Sequence, residues 1–237
     1  MALARCCQRQ TNVTVQEKKV SWSLPLDKGH FITGGYMNDK FFALPQDKQD
    51  RILNAGYRVF SQNSYKKSPM NEIALEADIS KSLLFFYFKN KKEFYVFLMQ
   101  TAADTTRKCL IQSGCYQETD IFEMMYKALE AKIRLMRQYP DMSNFSLKAY
   151  YEEDEKVKAE IQKIIAPFTK LSTNTTIPPL DPSVYKEGID LRLMYQDMYL
   201  ASEGYMYQMQ NTGKIDIDKV LKDYRELIDF WKKLYLR

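Results

Sequence analysis

The 237-residue sequence has one histidine, eight glycines and four cysteines, and these shortages exclude several classes of protein. An average composition would give about 17 glycines in a chain of this length, so folds built on glycine-rich turns are disfavoured. No stretch reads G-x-G-x-x-G or G-x-x-x-x-G-K-[ST], so neither kind of phosphate-binding loop is present. With His30 as the only histidine, Ser-His-Asp, Cys-His and histidine-metal chemistry are excluded. We therefore expect no enzyme, no metal and no cofactor.

The cysteines and the apolar runs indicate the compartment. Cys6 and Cys7 are adjacent, and Cys109 and Cys115 are six residues apart, which is neither zinc-ligand spacing nor a disulfide framework. The two later cysteines could sense oxidants or be inert buried thiols. No apolar run approaches the roughly 18 residues of a membrane span, and the N-terminus lacks the apolar core of a signal peptide. These features predict a reduced, cytoplasmic protein outside the membrane.

The residues that are abundant, 45% apolar and 27% charged, are typical of a mainly helical protein. Residues 1–36 hold five basic and two acidic side chains, residues 37–100 hold ten and seven, and residues 101–237 hold twenty and twenty-one. The basic excess is therefore N-terminal. This distribution is expected if that end binds a polyanion, although ordinary surface lysines would produce it too.

The first 36 residues differ from the remainder of the chain. They contain the only histidine and three of the eight glycines, and they show no helical periodicity. Met37 precedes the first helical segment, so we expect residues 1–36 to be a non-native or disordered extension. A native β-like arm is the competing interpretation.

From Pro45 onward apolar residues recur at helical spacing, which predicts an all-α fold. Ser68, Ser80 and Asn90 stand at predicted helix starts as N-cap residues. The helices are expected at about 45–62, 69–77, 80–88, 91–111 and 122–139, in stretches ending at 150 and around 157–165, and at 183–210 and 218–235. The last two are more apolar than a monomer surface requires. They predict a dimer interface, with a monomeric core as the alternative.

Two short predicted helices joined by a tight turn, with a longer one before them, indicate a helix-turn-helix. The turn region follows the pattern I-A-x-x-A-G-V-S-x-G-T-L-Y-x-Y-F-x-[SN]-K-[EK]-x-L, with matches at Ile73, Ala74, Ala77, Ser80, Leu84, Tyr87, Phe88, Asn90 and Lys91. On these matches, residues 46–95 resemble the DNA-binding segment of the TetR (tetracycline repressor) family. Asp78 stands where that family usually has glycine, at a turn expected to need positive φ. Ser82, Leu83 and Phe85 replace the usual Gly, Thr and Tyr.

The resemblance implies a three-helix helix-turn-helix DNA-binding domain at residues 37–92 and a larger helical domain for effector binding and dimerisation at residues 93–237. It also implies a ligand-responsive transcriptional regulator, a repressor that binds palindromic operator DNA as a homodimer and is released by a small molecule. The alternative is a helical protein-binding adaptor without specific DNA binding.

The predicted DNA-binding residues are Lys48, Ser68, Ser80, Lys81, Ser82, Leu83, Phe85, Phe86, Tyr87 and Lys91. Lys48, Ser68 and Lys91 are expected to hold phosphates, which gives affinity and salt dependence. Lys81, Ser82, Leu83 and Phe85 are expected to face the major groove, and Leu84 to face the core. The alternative for residues 83–88 is a buried apolar helix or strand with no DNA contact.

An effector cavity is predicted from methionine and aromatic side chains, because these adapt to varied apolar ligands. Its residues are Phe122, Met125, Phe145, Tyr150, Met194, Tyr195 and Met198. Plain helix packing is the alternative for each of them. The acidic run 152–155 could bind a cationic ligand or a metal, or it could be the solvated first turn of a helix.

Overall fold

The structure, a computed structural model, describes residues 39–174, 180–211 and 215–237. Within these ranges the chain forms ten α-helices and two short 3₁₀ turns, and the only β pairing is an isolated bridge between Tyr185 and Leu236. The helices are α1 Asp39–Phe42, α2 Gln46–Gln62, α3 Met70–Glu76, α4 Lys81–Tyr87, α5 Lys91–Gln112, α6 Ile121–Gln138, α7 Met142–Tyr150, α8 Lys158–Asn174, α9 Leu191–Asn211 and α10 Ile217–Tyr235. The predicted all-α fold is confirmed. The expectation for residues 1–36 lies outside the described residues.

Two of the helix starts are set by the side chains that the sequence indicated. The Ser80 hydroxyl accepts a hydrogen bond from the Leu83 N–H at 3.1 Å, and the Asn90 amide oxygen accepts from the Glu93 N–H at 2.9 Å. Each bond satisfies one of the N–H groups that a helix N-terminus leaves without an intrahelical partner. Both predicted N-caps are confirmed.

The predicted cap at Ser68 is wrong. Pro69 occupies the N-cap position of α3, where no side-chain cap forms. The Ser68 hydroxyl instead donates to the Ser64 carbonyl at 2.9 Å, inside the connection between α2 and α3. Helix α9 also begins at Leu191, later than predicted, after a turn in which Gly188 has a φ of 82°.

The first hydrophobic core joins α1–α5 to α7, α8 and the C-terminal half of α6. Helices α2 and α5 approach closely at Gly56, where an added Cβ would lie 2.7 Å from Leu98 Cδ1 and 2.7 Å from Phe94 Cζ. These distances are well inside van der Waals contact, so only glycine allows this spacing of the two helices.

Phe145 of α7 packs at the centre of this core and is fully buried. Its ring centroid lies 5.2 Å from that of Tyr95, 5.4 Å from Tyr57 and 6.1 Å from Phe60. Tyr57 and Phe60 belong to α2, so α7 is packed directly onto the predicted DNA-binding segment. The domain division at residues 92 and 93 stays a prediction, and buried side chains run across it.

The second hydrophobic core lies between the N-terminal half of α6, α9 and α10. Its polar element is a hydrogen bond of 2.9 Å between the hydroxyls of Ser202 and Tyr224. At its edge, the Glu123 carboxylate of α6 pairs with Lys232 of α10 at 3.1 Å. This core contains the inner faces of the two helices for which a dimer interface was predicted.

Candidate nucleic-acid interface

The turn between α3 and α4 is built around Asp78, whose φ of 54° is left-handed. The Ile79 N–H donates to the Ala74 carbonyl at 3.0 Å, and the Asp78 N–H donates to the Leu75 carbonyl at 3.1 Å. These are the two hydrogen bonds of a Schellman motif, which needs a left-handed residue just after the helix. Aspartate is among the few residues besides glycine that tolerate this conformation. The positive φ expected at this position is confirmed.

Ion pairs with α2 support the same turn. The Asp78 carboxylate lies 3.4 Å from the Arg51 guanidinium, and Glu76 at the end of α3 pairs with Arg58. Both pairs are exposed to solvent, so each contributes at most about 1 kcal/mol. Their role is to hold α3 and the turn against α2, which orients α4.

Helix α4 has one buried and one exposed face. Leu84 is fully buried and Phe88, just after the helix, is nearly so, whereas Lys81, Ser82 and Phe86 are exposed. Ser82 and Phe86 are four residues apart and point away from the core, because their helical positions lie opposite those of Leu84 and Phe88. A recognition helix needs one face packed against the protein and the opposite face exposed to DNA, and α4 has this arrangement.

Three other predicted contact residues of α4 are less accessible. Leu83 and Phe85 are half-buried and pack against the first core at the flanks of the exposed face. Tyr87 is 9% exposed, and its ring packs on Phe41 at a centroid distance of 6.4 Å. The interpretation of residues 83–88 as a wholly buried helix does not fit, since Phe86 is 55% exposed.

Lys91, a predicted phosphate contact, also holds the α2–α3 connection. Its ammonium donates to the Lys66 carbonyl at 3.2 Å and lies 5.0 Å from the centre of the Tyr65 ring. Partial burial lowers the pKa of Lys91, and the charges of Asp154 and Glu152 oppose this shift. Lys48, on α2, is half-buried.

Ser68 is not placed to contact a phosphate. Its residue is 1% exposed and its hydroxyl is engaged with the Ser64 carbonyl. The sequence predicts Ser68 at the DNA surface because a serine before proline is a common helix start. The start shifted by one residue, to Pro69, and the serine turned inward.

A carboxylate that was not predicted to contact the DNA-binding segment is hydrogen-bonded to it. Glu152, just after α7, accepts a hydrogen bond from the Tyr65 N–H at 2.8 Å through Oε2. Its other oxygen accepts from the Asp154 N–H at 3.1 Å. Within the acidic run, Glu152 is therefore neither a metal ligand nor part of a simple solvated turn. It holds the α2–α3 connection through its hydrogen bond with Tyr65.

The predicted effector residues do not form one site. Phe122, Met125, Met194 and Met198 are buried in the second core, with Tyr195 packed against it. Phe145 instead fills the first core, and Tyr150 is 47% exposed, with its ring 4.8 Å from that of Tyr151. Helix packing therefore separates Phe145 and Tyr150 from the other five residues, and the effector assignment stays a prediction.

A surface cleft of about 600 Å³ lies elsewhere, bordered by α2, α7 and α9. Its walls come from the end of α2 (Ser61), from α7 (Leu147), from Tyr151 and Glu152 just after α7, and from α9 (Tyr207). None of the predicted effector residues lines it. The cleft includes the carboxylate that tethers Tyr65.

Helices α9 and α10 expose large apolar side chains on their outer faces. Leu193 and Leu200 of α9 are seven residues apart, about two turns, and are 52% and 59% exposed. Phe230 and Leu234 of α10, one turn apart, are 58% and 44% exposed. Such clustered apolar exposure marks a surface for protein contact.

Metal-binding clusters and membrane-spanning helices are both absent from the described part of the chain. Histidine, cysteine, aspartate and glutamate side chains do not gather there in groups of three or more that could hold a metal ion. The described helices also include none with the length and apolarity needed to cross a membrane.

Comparisons with known proteins agree with this geometry. The family model for bacterial regulatory proteins of the tetR family matches residues 52–96, which span α2 to the start of α5. The chain is 22% identical over 180 residues to the HTH-type transcriptional regulator YerO of Bacillus subtilis, covering 73% of this chain but only 59% of that protein. It is 18% identical to the fatty acid metabolism regulator protein of Bacillus subtilis, over 76% of this chain and 93% of that one. A TetR-like transcriptional regulator from Rhodococcus has a similar fold, with a TM-score of 0.56, 18% identity, and coverage of 81% of this chain and 98% of that one.

Proposed function

The chain belongs to the TetR family of transcriptional regulators, which are not enzymes, and from this premise we propose that it binds operator DNA as a homodimer in the cytoplasm and responds to a lipophilic effector. The observation that carries the proposal is the exposed face of α4, held by the Schellman turn at Asp78 and by the cap at Ser80. Lys40 of α1 lies over the Phe86 ring of that face, and Lys81 of α4 lies near the Phe85 ring. An exposed helix face with neighbouring lysines supports α4 as a recognition helix with phosphate contacts beside it.

The DNA-binding proposal is tested by gel shift with the DNA upstream of the gene, at several salt concentrations. Lys91→Ala should weaken binding nearly equally on specific and nonspecific DNA. It should also reduce the magnitude of the salt slope by about 0.9 for each phosphate that is no longer neutralised, or about 1.8 for a dimer. Lys163→Ala, which removes an exposed lysine of α8, is the matched control and should change neither quantity.

Two results would contradict this assignment. A changed base preference in Lys91→Ala would mean that the residue reads bases rather than phosphates. No sequence-specific shift at any salt concentration would favour the helical adaptor instead.

The homodimer is supported by the exposed apolar faces of α9 and α10, which are adjacent in the chain and pack on the same core. Two copies related by a two-fold axis would bury Leu200 and Phe230 against the partner helices. The two α4 helices would then lie one DNA turn apart, roughly 34–36 Å, and read a palindromic site. Light scattering should show a dimer that Leu200→Asp dissociates, whereas Leu75→Asp, at an 81% exposed leucine of α3, leaves it intact. A dimer unaffected by Leu200→Asp would place the interface elsewhere.

The effector proposal rests on the second core, because α9 and α10 line it on one side and form the proposed interface on the other. A ligand that repacks Met194 and Met198 would therefore shift the two helices and, through them, the spacing of the reading helices. One similar protein is named for fatty acid metabolism, so fatty acids are the first compounds to test.

These compounds would be titrated into the protein–operator complex, with release of DNA as the expected outcome. Met198→Leu should raise the concentration needed for release, and Met142→Leu, in the first core, should not. If Tyr151→Ala alone altered the response, the effector site would be the surface cleft instead. If no compound released the DNA, the proposed effector class would be wrong while DNA binding stood.

A further inference from the structure

The exposed face of α4 has little capacity to hydrogen-bond with bases. Lys81 and Ser82 are its exposed polar side chains before the terminal Tyr87, which is 9% exposed. The centre of the face is instead Phe86, whose residue is 55% exposed, with the half-buried Leu83 and Phe85 on either flank. A helix that reads DNA through this face therefore meets the major groove largely with apolar carbon.

The Phe86 ring is held in place even though it is exposed. The Lys40 ammonium of α1 lies 4.0 Å from the ring centroid. The Tyr87 ring packs beside it at a centroid distance of 5.7 Å and an interplanar angle of 67°. Because two neighbours restrain the ring, little side-chain entropy is lost when it docks against a ligand. An exposed but restrained aromatic ring is suited to binding rather than to folding.

The major groove offers one apolar feature that differs between base pairs, the C5-methyl group of thymine. Hydrogen-bonding edges distinguish all four base pairs, but a phenylalanine or leucine side chain cannot read them. Positive charge on the same surface attracts DNA, since the Lys40 ammonium lies over the Phe86 ring and the Lys81 ammonium lies 5.8 Å from the centre of the Phe85 ring. Apolar carbon and positive charge therefore lie side by side on this surface.

We propose that α4 selects its operator by thymine methyl groups, contacted by Phe86 with help from Leu83, and that hydrogen-bonded base reading is confined to Lys81 and Ser82. This inference rests on the proposed function, since it specifies the class of DNA site that the proposed regulator binds. Each half-site then contains thymine where Phe86 docks, and its affinity depends on the methyl group itself.

The test compares thymine with deoxyuridine, which has the same hydrogen-bonding edges and lacks only the methyl group. The operator is selected by the full-length protein from random-sequence DNA and then made with deoxyuridine at the half-site thymines. Burying one methyl group changes affinity by about fourfold, so one contact per half-site gives about a 16-fold loss for a dimer. The wild-type protein should bind the deoxyuridine operator weaker by about that factor.

Variants assign the effect to its residues. In Phe86→Ala the ratio of affinities for the thymine and deoxyuridine operators should fall towards one, with the fold checked by circular dichroism. In Lys91→Ala both affinities should fall together and the ratio should stay at the wild-type value. Leu75→Ala, at an exposed leucine of α3, should also keep the wild-type ratio.

The outcomes separate this inference from the proposed function. If no sequence is enriched in the selection, the proposed function fails. If a site is enriched but binds equally with thymine and deoxyuridine, DNA binding stands and thymine reading is refuted. A thymine preference that survives unchanged in Phe86→Ala also overturns the inference, because the methyl groups then act through DNA shape or through other residues.

Discussion

Replacing Phe145 by alanine should destabilise the protein strongly, although Phe145 was one of the predicted effector residues. The side chain is fully buried and touches three aromatic rings, those of Tyr57, Phe60 and Tyr95. Removing a buried phenylalanine ring costs about 3–5 kcal/mol in free energy of unfolding. Because three aromatic pairs disappear with the ring, one of them edge-on at 77°, we expect the upper half of that range.

Such a destabilisation is large compared with the total stability of a folded protein, which is about 5–15 kcal/mol. For a chain of this size, about 4 kcal/mol lowers Tm by roughly 8–16 °C. Tyr150→Ala is the matched control from the same predicted set. Tyr150 is 47% exposed, so its truncation should change the free energy of unfolding by only about 0.5 kcal/mol.

The assay is urea unfolding followed by far-ultraviolet circular dichroism, at one fixed protein concentration because dimerisation adds to stability. Phe145→Ala should lower the midpoint concentration while leaving the slope m unchanged. A destabilisation below about 1 kcal/mol, or equal effects in Phe145→Ala and Tyr150→Ala, would refute the assignment of Phe145 to the core. A side chain that lined an open cavity would give such a result, since it would pack against few neighbours.

Three further predictions concern the close approach of α2 and α5, the turn at Asp78 and the buried Tyr224. Gly56→Val should lower the free energy of unfolding by about 1–3 kcal/mol, because its Cβ would displace two buried side chains. Gly204→Ala should instead raise it by up to about 1 kcal/mol through helix propensity, since an added Cβ there meets no atom within 4 Å. Thermal unfolding measures both changes. Asp78→Val should lower the free energy of unfolding by about 1–2 kcal/mol, since a β-branched residue is strained at a φ of 54°. The control Asp78→Gly should stay within about 1 kcal/mol of the parent protein. Equal Tm values for the two variants would contradict the left-handed turn. Burial raises the pKa of Tyr224 to about 12, compared with about 10 in the unfolded chain. Between these two pH values the unfolded chain releases the phenol proton and the native protein retains it. The stability that Tyr224 contributes is therefore complete below about pH 10 and is lost between about pH 10 and 12. Tyr224→Phe should therefore make the alkaline fall in Tm shallower, and an unchanged profile would argue against this cause.

Local features of the helix-turn-helix were predictable from sequence because they depend on residues a few positions apart. The caps at Ser80 and Asn90 are hydrogen bonds between a side chain and the N–H three residues later. The left-handed turn at Asp78 follows from the end of one short helix and the start of another within five residues. The bounds of α2 and α5 followed from apolar spacing, which repeats with every helical turn.

The interactions that sequence reasoning missed join residues distant in the chain. The hydrogen bond between Tyr65 and Glu152 spans 87 positions and depends on how α7 packs against α2. The same packing sends Phe145 into the first core and leaves Tyr150 on the surface, although both are aromatic residues of one helix. Ser68 turned inward because the α2–α3 connection folds back onto the Ser64 carbonyl.

Composition, caps and periodicity thus determined that this protein is helical and where most of its first helices begin, and the resemblance to the TetR family indicated that residues 46–95 are a DNA-binding segment. Packing determined which face each helix hides, how seven predicted effector residues divide between two cores and the surface, and that Phe86 rather than Tyr87 stands at the centre of the exposed face of α4. The physical reason is that helical spacing places side chains on a common face, whereas the partner of that face depends on the arrangement of helices far apart in the chain.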